Sequence, residues 1–412
     1  MAKSEIVLPP NWQPRPPISR RVNGSVSFDI TVNELNSYLR CRRMWDITSA
    51  NRRSLQRIGP PAPALHIGSA FHYVRAMHST HGTDPEEACR EFFALSGEEY
   101  DRRYLAAVGT LPSNEERQLR TDQMMMVLRL IQTYYGRFGL KNPIKPFEHI
   151  ASELTFRVPL VKDYDIWLIG TIDEVVLDTD GNPVPLECKT YSRRPDKKNW
   201  RFNHQLYGYA CALSILTGHP VNYGLYDGIR KKDPTIPQIL KSGDVSRKWI
   251  DTTYDIYRAQ VELVHDGTVP NQYLDILNRL KARDRSPENA FTTRFRVPIS
   301  RRAMSRWWTD ARSVAMEAAH SPTLIPNFEW QGCPMCRVKD LCHAIQGGDE
   351  DTQKRIVAME YRRGVTPTVQ TVRTAKRIAQ RRVADPRHLA KYSQVSLSHD
   401  PDYSVEVVPS GD

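Results

Sequence analysis

Hydrophobic and polar positions repeat with two different periods along this chain, and the change of period separates helical from extended regions. Before residue 148, apolar residues recur every three or four positions, which is typical of amphipathic helices. Thr31 and Glu34 have the spacing of a capping box at the start of the first helix. The predicted helices in this part of the chain cover residues 31–45, 68–78, 84–107 and 114–138.

Between residues 148 and 190 the period falls to two, which predicts β-strands. Residues 152–159 and 165–168 are expected to form one hairpin. Asp180-Gly181, between apolar runs at 169–177 and 184–190, is a strong signal for a second. The alternation of helical and extended segments indicates an α/β fold. The remaining predicted elements are helices around 205–213, 245–285 and 299–320, and strands at 221–226 and Thr292–Pro298.

Three regions differ in composition. Residues 1–25 are rich in proline and lack apolar periodicity, which predicts a disordered lead-in. Residues 26–346 are expected to form one folded domain with helical additions. Residues 347–412 are basic and polar, and we expect a tail that is partly helical or disordered.

Overall composition restricts the class of protein. The chain has 412 residues, 40% hydrophobic and 25% charged, as in soluble globular proteins. Its net charge of +11 favours a polyanionic partner such as a nucleic acid. No apolar stretch reaches the length of a membrane span and no signal peptide is recognisable, so we expect a cytoplasmic protein without a membrane partner. Its seven cysteines are then expected to be reduced thiols or metal ligands.

The second hairpin brings together residues suited to metal chemistry. The turn is expected to carry Asp173 back alongside Glu187, and side-chain alternation places Glu187 and Lys189 on one face and Cys188 on the other. Two carboxylates, with the Cys188 carbonyl as a third ligand, suit Mg²⁺ or Mn²⁺. Lys189 suits the orientation of a water molecule or the neutralisation of a phosphate. An ordinary surface hairpin with a solvated glutamate and lysine fits these residues equally well.

Four short motifs in one order decide between these interpretations. They resemble the motif series of the RecB-like branch of the PD-(D/E)XK nuclease superfamily. This resemblance implies a restriction-endonuclease-like core, with a mixed central sheet flanked by helices. The motifs are Gly68-x3-His72, Gly170-x2-Asp173, Glu187-Cys188-Lys189 and Gln205-x3-Tyr209.

The resemblance implies a role for each motif residue. His72 corresponds to an additional metal ligand, which favours Mn²⁺ somewhat over Mg²⁺. Asp173 and Glu187 correspond to the metal carboxylates, and Lys189 to the catalytic lysine. Gln205 and Tyr209, four residues apart on one helix face, correspond to residues that orient the site or contact the DNA backbone. Glu153 lies where family members often carry a glutamate, but it receives little weight because a solvated strand-edge residue fits as well.

Four of the cysteines form a second constellation. Cys333, Cys336 and Cys342 lie close together near the end of the predicted domain, whereas Cys41 lies far upstream. This layout resembles the iron–sulfur staple of AddB-type nucleases and CRISPR-associated RecB-like exonucleases, which implies a [4Fe-4S] cluster joining the two ends of the domain. Four thiolates also suit Zn²⁺, so zinc remains an alternative.

Basic residues follow the strand of Lys189, where a DNA strand is expected to leave the metal. Phosphate neutralisation is their expected contribution, although solvated charge is the usual explanation of such a run. The residues are Arg193, Arg194, Lys197, Lys198 and Arg201.

Together these features predict a Mg²⁺- or Mn²⁺-dependent DNA exonuclease that hydrolyses single-stranded DNA or DNA ends. The expected setting is recombination, repair or phage DNA processing in a bacterial or phage-infected cell, with a helicase or recombination protein as a partner. The alternative is a DNA-binding subunit that keeps the fold but has little activity. The chain has no Walker A motif, so we do not expect it to be a helicase itself.

Overall fold

The structure is a computed structural model that describes residues 28–57, 62–196, 198, 203–286, 291–321, 324–329 and 331–363. The side chains of residues 103, 106–108, 362 and 363 are outside this description. The predicted lead-in at 1–25, most of the predicted tail, and Lys197 and Arg201 also lie outside the described residues.

The described elements alternate between long helices and a central group of strands. The helices are α1 (Val32–Arg40), α2 (Arg42–Thr48), α3 (Pro63–His81), α4 (Pro85–Val108), α5 (Asn114–Phe138), α6 (His204–Thr217), α7 (Tyr254–Val264), α8 (Leu274–Arg285), α9 (Arg301–His320), α10 (Lys339–Gln346) and α11 (Glu350–Glu360). The strands are β1 (Phe28–Thr31), β2 (Leu55–Arg57), β3 (Glu148–Val161), β4 (Ile166–Leu177), β5 (Pro183–Tyr191), β6 (Tyr223–Arg230), β7 (Thr292–Pro298) and β8 (Tyr361–Arg363).

The main sheet is mixed, as predicted. Its strand order is β1-β4-β5-β6-β7, with β3 paired to β4. β1 runs parallel to β4 and β5 runs parallel to β6, whereas the pairs β3–β4, β4–β5 and β6–β7 are antiparallel. The predicted hairpin between β4 and β5 is confirmed, with Gly181 at φ 79° in its turn, a conformation that favours glycine.

Helices pack against the sheet through two separate hydrophobic cores. One core joins the sheet to α1, α6 and α9. The other joins it to α3, α4 and α5, and it includes the buried side chain of Cys188. The prediction of a sheet flanked by helices is therefore confirmed. Within the part of the chain that the structure describes, no helix has the length and apolar character needed to cross a membrane.

Several predicted boundaries are wrong. The single helix expected over residues 31–45 is interrupted at Cys41, whose extended backbone (φ −161°, ψ 108°) separates α1 from α2. The capping box of Thr31 and Glu34 is present. Helix α3 begins at Pro63, where proline is well tolerated at the first helical position, rather than at residue 68.

Two extended or irregular regions also differ from their predictions. The segments expected separately at 165–168 and 169–177 form one continuous strand, β4, because β3 pairs along its whole length. The first residues of the region expected to be helical at 245–285 form no helix. There the side chain of Thr253 accepts a hydrogen bond from the Ile256 N–H and starts α7 at Tyr254.

The segment between β6 and β7 has a core of its own. Helices α7 and α8 pack together around buried residues that belong to neither of the two main cores. These are Val245, Tyr257, Val261, Tyr273, Ile276, Leu277 and Leu280. We call residues 231–286 the inserted module.

Candidate metal and nuclease site

The site lies where two strands that share one edge of β4 leave a space between them. The register of β1 along β4 ends at Ile169, and that of β5 begins at Glu174. Asp173 lies in this space, and its Oδ2 accepts a hydrogen bond of 2.8 Å from the N–H of Cys188 on β5. The carboxylate of Asp173 thus contacts the strand that carries Glu187 and Lys189, as the hairpin prediction required.

Three ligand-type side chains converge at this point. One ligand atom from each of His72, Glu153 and Asp173 lies within 4.8 Å of the other two. His72 reaches Asp173 from α3, with 3.4 Å between Nδ1 and Oδ1. The structure therefore brings His72 and Asp173 together, in agreement with their predicted proximity, and it adds Glu153.

Glu153, to which the sequence pattern gives little weight, lies beside the other two candidate ligands. The β3–β4 register passes from Ser152↔Glu174 to Leu154↔Ile172, so Glu153 lies opposite Asp173 rather than at a solvated strand edge. Its φ of 51° is in the left-handed region, which is costly for a residue with a side chain and is most often retained at functional sites.

Glu187 and Lys189 form the second half of the site. The Glu187 carboxylate is fully buried and makes an ion pair with the Lys189 ammonium group. Lys189 Nζ also donates to Gln205 Oε1 at 3.3 Å, and Gln205 Nε2 donates to the Tyr209 hydroxyl at 2.7 Å. The predicted one-face arrangement of Gln205 and Tyr209 on α6 thus serves to hold the lysine.

Burial and mutual charge shift the titration of these groups. Burial, with the neighbouring Asp173 carboxylate, raises the pKa of Glu153 and that of Glu187 to about 7 each. Burial alone lowers the pKa of His72, but Asp173 outweighs it and raises this pKa to about 8. Burial also opposes the charge on Asp173, yet His72 and Lys189 keep its pKa below the usual range. Without a cation, the ionised forms of Glu153 and Glu187 are thus disfavoured, and a bound cation would favour them.

Beneath the site, a buried arginine joins the elements that carry its residues. Arg75 lies three residues after His72 on α3, and its guanidinium contacts Glu174 at 2.9 Å and Asp227 at 2.6 Å. The same group lies 3.3 Å from the sulfur of Cys188. Arg294 on β7 also pairs with Asp227, at 2.9 Å. Arg75 therefore fixes α3 to β4, β5 and β6 directly under the ligand groups.

The glycine of the second motif has a packing role. A Cβ on Gly170 would lie 2.7 Å from Cζ of Phe156, so any larger residue there would force the Phe156 ring to shift. The Phe156 ring meets the Tyr209 ring edge-on at 6.2 Å between centroids. Gly170 thus permits the packing that positions Tyr209.

The four cysteines of the predicted staple share one region of the fold. Cys41 is buried in a small core with Leu341 and Val357, against which Cys336 packs. Burial raises the pKa of Cys342, as do the thiols of Cys41, Cys336 and Cys333, which places these three within electrostatic range of Cys342.

Hydrogen bonds from side chains to backbone carbonyls also join the chain around Cys41 to the segment that precedes the other three cysteines. The side chain of Arg43 donates to the carbonyl of Leu324 at 2.9 Å, and that of Asn327 donates to the carbonyl of Arg40 at 3.1 Å. Four thiolates are the donor set of an iron–sulfur cluster and of structural zinc alike, but no three of these sulfurs lie within 4.8 Å of one another in the described structure.

The basic segment after β5 is only partly described. Arg193, Arg194 and Lys198 are exposed beyond the end of the strand that carries Lys189. Their contact with DNA remains a prediction.

Comparison with known proteins identifies the family. A model of the PD-(D/E)XK nuclease superfamily matches residues 29–343, which is more than half of the 412-residue chain. The chain therefore belongs to the PD-(D/E)XK nuclease superfamily, a group of metal-dependent nucleases. A search of curated proteins finds no match to the chain.

The donor set fits the divalent cation that this family uses. Carboxylate oxygens are the ligands preferred by Mg²⁺ and Mn²⁺, and a neutral imidazole is compatible with Mn²⁺. His72, Glu153 and Asp173 supply that combination within one small volume.

Changing Glu153 to glutamine is expected to have opposite effects on metal binding and on stability. The pKa of Glu153 lies near 7, above its ordinary value of 4.5. The ionised carboxylate therefore destabilises the metal-free protein progressively as pH rises from about 4.5 to 7, and fully at pH 8. Glu153→Gln should raise the unfolding midpoint in EDTA at pH 8 and weaken Mn²⁺ binding at least about tenfold. Titration calorimetry and denaturant unfolding measure the two effects.

Glu148→Gln provides a matched control for this experiment. Glu148 is an exposed glutamate at the start of the same strand. Its substitution should change neither the unfolding midpoint in EDTA nor the affinity for Mn²⁺. A Glu153→Gln variant that loses stability in EDTA while binding Mn²⁺ normally would contradict a ligand role for Glu153.

Proposed function

We propose that this protein is a metal-dependent DNA exonuclease of the RecB-like type, acting on single strands or DNA ends. The observation that carries the proposal is the convergence of His72, Glu153 and Asp173 beside the Glu187–Lys189 ion pair. Membership of the nuclease superfamily supports it. Processing of DNA in recombination, repair or phage replication, alongside a helicase or recombination protein, is the corresponding biological setting.

The divalent cation would be held by His72, Glu153, Asp173 and Glu187, with the carbonyl of Cys188 as a further ligand. When bound, Mg²⁺ or Mn²⁺ polarises a scissile phosphate and lowers the pKa of water. Glu187, which pairs with Lys189 in this structure, would face the cation instead, and the lysine ammonium would then be available to the reacting groups.

The chain's own residues position the attack. Lys189 orients the attacking water and offsets negative charge that develops on the phosphate oxygens. Gln205 receives a hydrogen bond from Lys189 and is itself fixed by Tyr209, so the ammonium group is held before substrate arrives. Burial raises the pKa of Tyr209 well above its ordinary value, and its hydroxyl stays protonated. The exposed Arg193, Arg194 and Lys198 neutralise the phosphates of the departing strand.

End-labelled DNA tests this function directly. Purified full-length protein with Mg²⁺ or Mn²⁺ should shorten single-stranded or duplex DNA from an end, and a circular single strand should resist cleavage. Cleavage of the circle would instead indicate an endonuclease. Tight DNA binding without cleavage in either metal would identify a DNA-binding subunit that keeps the fold.

We further infer that Cys41, Cys333, Cys336 and Cys342 hold a [4Fe-4S] cluster that staples the N-terminal helices to the C-terminal segment. The other three thiols lie within electrostatic range of Cys342, and hydrogen bonds already join the chain around residue 40 to residues 324–327. A cross-link between positions so distant in sequence restricts the unfolded chain strongly. Its contribution is therefore structural.

Replacing Cys41 by serine is expected to remove most of the bound iron and to lower the melting temperature. Cys89→Ser is the control, since Cys89 is buried in a different core, between α3, α4 and α5. Anaerobic preparations are compared by iron and zinc content and by thermal unfolding. If the wild-type protein contains zinc but no iron, the four cysteines bind zinc rather than an iron–sulfur cluster. Equal iron content in the two variants would exclude Cys41 as a ligand.

A further inference from the structure

The inserted module carries an exposed aromatic side chain among cations. Trp249 retains 45% of its surface, although tryptophan is usually well covered in a folded protein. The guanidinium carbons of Arg279 and Arg283 lie 4.8 and 5.2 Å from its ring centroid. These arginines are four residues apart and so lie on one face of α8.

The two arginines differ in what else they contact. Arg283 is largely buried and donates to the carbonyl of Thr252 and to Asp284. These contacts hold its guanidinium in place beside the Trp249 ring. The side chain of Arg279 is 62% exposed, and its ion pair with Asp275 is long, at 3.8 Å. Arg279 therefore presents its charge beside the indole at little structural cost.

An open groove of about 440 Å³ runs beside this pair. Its polar and charged lining suits a ligand that carries both a ring and a negative charge. The lining residues are Arg247, Trp249, Gln272, Asp275, Ile276 and Arg279. On the same helix as Arg279, the Lys281 ammonium lies 5.6 Å from the Tyr254 ring centroid, a second pairing of a cation with an aromatic ring.

The module is anchored at the edge of the sheet where the site strand ends. The N–H of Lys231 donates to the carbonyl of Tyr191, two residues after Lys189, at 2.7 Å. Asp251, two residues after Trp249, pairs with Arg230 at 3.1 Å and with Lys232 at 2.6 Å, and its carbonyl accepts from the Thr235 N–H. Trp249 is thus tied to the ends of β5 and β6.

We propose that Trp249 and Arg279 form a subsite for one unpaired nucleotide of a single strand, outside the metal site. The exposed indole stacks on the base, and the guanidinium of Arg279 pairs with the adjacent phosphate. Aromatic rings interleaved with cations bind single-stranded nucleic acid largely without regard to sequence. The choice of nucleic acid as the ligand rests on the proposed nuclease function. The arrangement of Trp249 and Arg279 rests on the contacts observed within the inserted module.

Binding of fluorescent single-stranded DNA tests the subsite. The full-length protein is used with Lys189→Met as a common inactive background, and fluorescence anisotropy with an oligothymidylate gives Kd. Adding Trp249→Ala should weaken binding by roughly 5- to 100-fold, the range expected for loss of one aromatic–base stack. Trp249→Phe should recover most of the affinity. The affinity for blunt duplex DNA, whose bases are already stacked, should fall much less in the Trp249→Ala variant.

A pair of arginine variants separates the subsite from general charge. Arg279 and Arg306 are both exposed and both pair with an aspartate four residues away, on α8 and α9 respectively. Arg279→Ala should weaken binding and reduce its salt dependence by about one phosphate contact, whereas Arg306→Ala should do neither. If the two substitutions weaken binding equally, Arg279 contributes only to the overall positive charge of the protein, and the proposed subsite is wrong.

The outcomes distinguish this subsite from the proposed function. If the wild-type protein cleaves DNA but Trp249→Ala binds the oligonucleotide normally, the subsite is wrong and the nuclease function stands. If the wild-type protein cleaves nothing but Trp249→Ala still weakens binding, the subsite stands and the nuclease function fails. Folding of each variant is checked by its unfolding midpoint, because Trp249 also packs on Arg283.

Discussion

Replacing Lys189 by methionine is expected to lower kcat for DNA cleavage by about 10²- to 10³-fold, the usual cost of removing one positioned donor. Methionine keeps much of the length of the lysine stem but cannot orient water or offset charge on the phosphate. The loss should appear in single-turnover cleavage at saturating Mn²⁺. Since Glu187 loses its ion-pair partner, it should take up a proton more readily in the metal-free variant.

Asp173→Asn should abolish cleavage for a different reason. The asparagine oxygen still accepts the hydrogen bond from the Cys188 N–H, so the β4–β5 contact survives. The negative charge, however, is lost from the centre of the ligand set. This variant is therefore expected to fold normally and to bind Mn²⁺ weakly, which titration calorimetry measures.

Lys354→Met is the matched control for both variants. Lys354 pairs with Glu350 at 3.9 Å on α11, so its substitution also removes a lysine from an ion pair with a glutamate. Its cleavage rate should equal that of the wild-type protein. Retention of full activity by both Lys189→Met and Asp173→Asn would overturn the assignment of the metal site.

The parts of the site that local sequence determines were predictable. The Asp-Gly turn sets the β4–β5 hairpin, and counting from it places Asp173 beside Glu187. Helix periodicity places Gln205 and Tyr209 on one face, and their hydrogen bond confirms that proximity. These relations depend on a turn or on a single helix, which short motifs encode.

The parts that depend on distant contacts were not predictable. Glu153 enters the site because the β3–β4 register sets it opposite Asp173 with a left-handed backbone, and no local pattern signals that conformation. The interruption of α1 and α2 at Cys41 brings that residue into a core formed with residues more than 290 positions later. In both cases the tertiary structure overrides the local preference, and only the resemblance to family motifs indicates that these residues belong to a site.

Arg75 illustrates the same limit, and its removal is the largest expected effect on stability. An arginine inside a helix pattern is usually a solvated residue, yet Arg75 is buried between Glu174 and Asp227. Replacing it by methionine leaves two buried carboxylates without this partner. Breaking a buried ion pair from one side costs roughly 3–5 kcal/mol in the free energy of unfolding. Denaturant unfolding in EDTA measures that loss apart from any effect on metal binding.

Arg258→Met is the control for this substitution. Arg258 pairs with Glu262 at 2.7 Å on the surface of α7. Exposed pairs of this kind contribute at most about 1 kcal/mol, because solvent screens the charges and the side chains lose conformational freedom. A loss for Arg75→Met no larger than that of the control would show that Arg294 alone satisfies Asp227 and that Glu174 does not need Arg75 as a partner.

The pH dependence of stability identifies the carboxylate involved. Burial by itself raises the pKa of Asp227, but Arg294 and Arg75 outweigh it and lower the pKa to about 2, from an ordinary 3.8. A lowered pKa in the folded state means that the stabilisation is fully present above pH 3.8 and is lost as pH falls towards 2. The stability difference between the wild-type protein and Asp227→Asn should therefore shrink over that acidic range. A difference that stays constant from pH 5 to 2 would mean that the charge of Asp227 contributes nothing to holding α3, and with it His72, on the sheet.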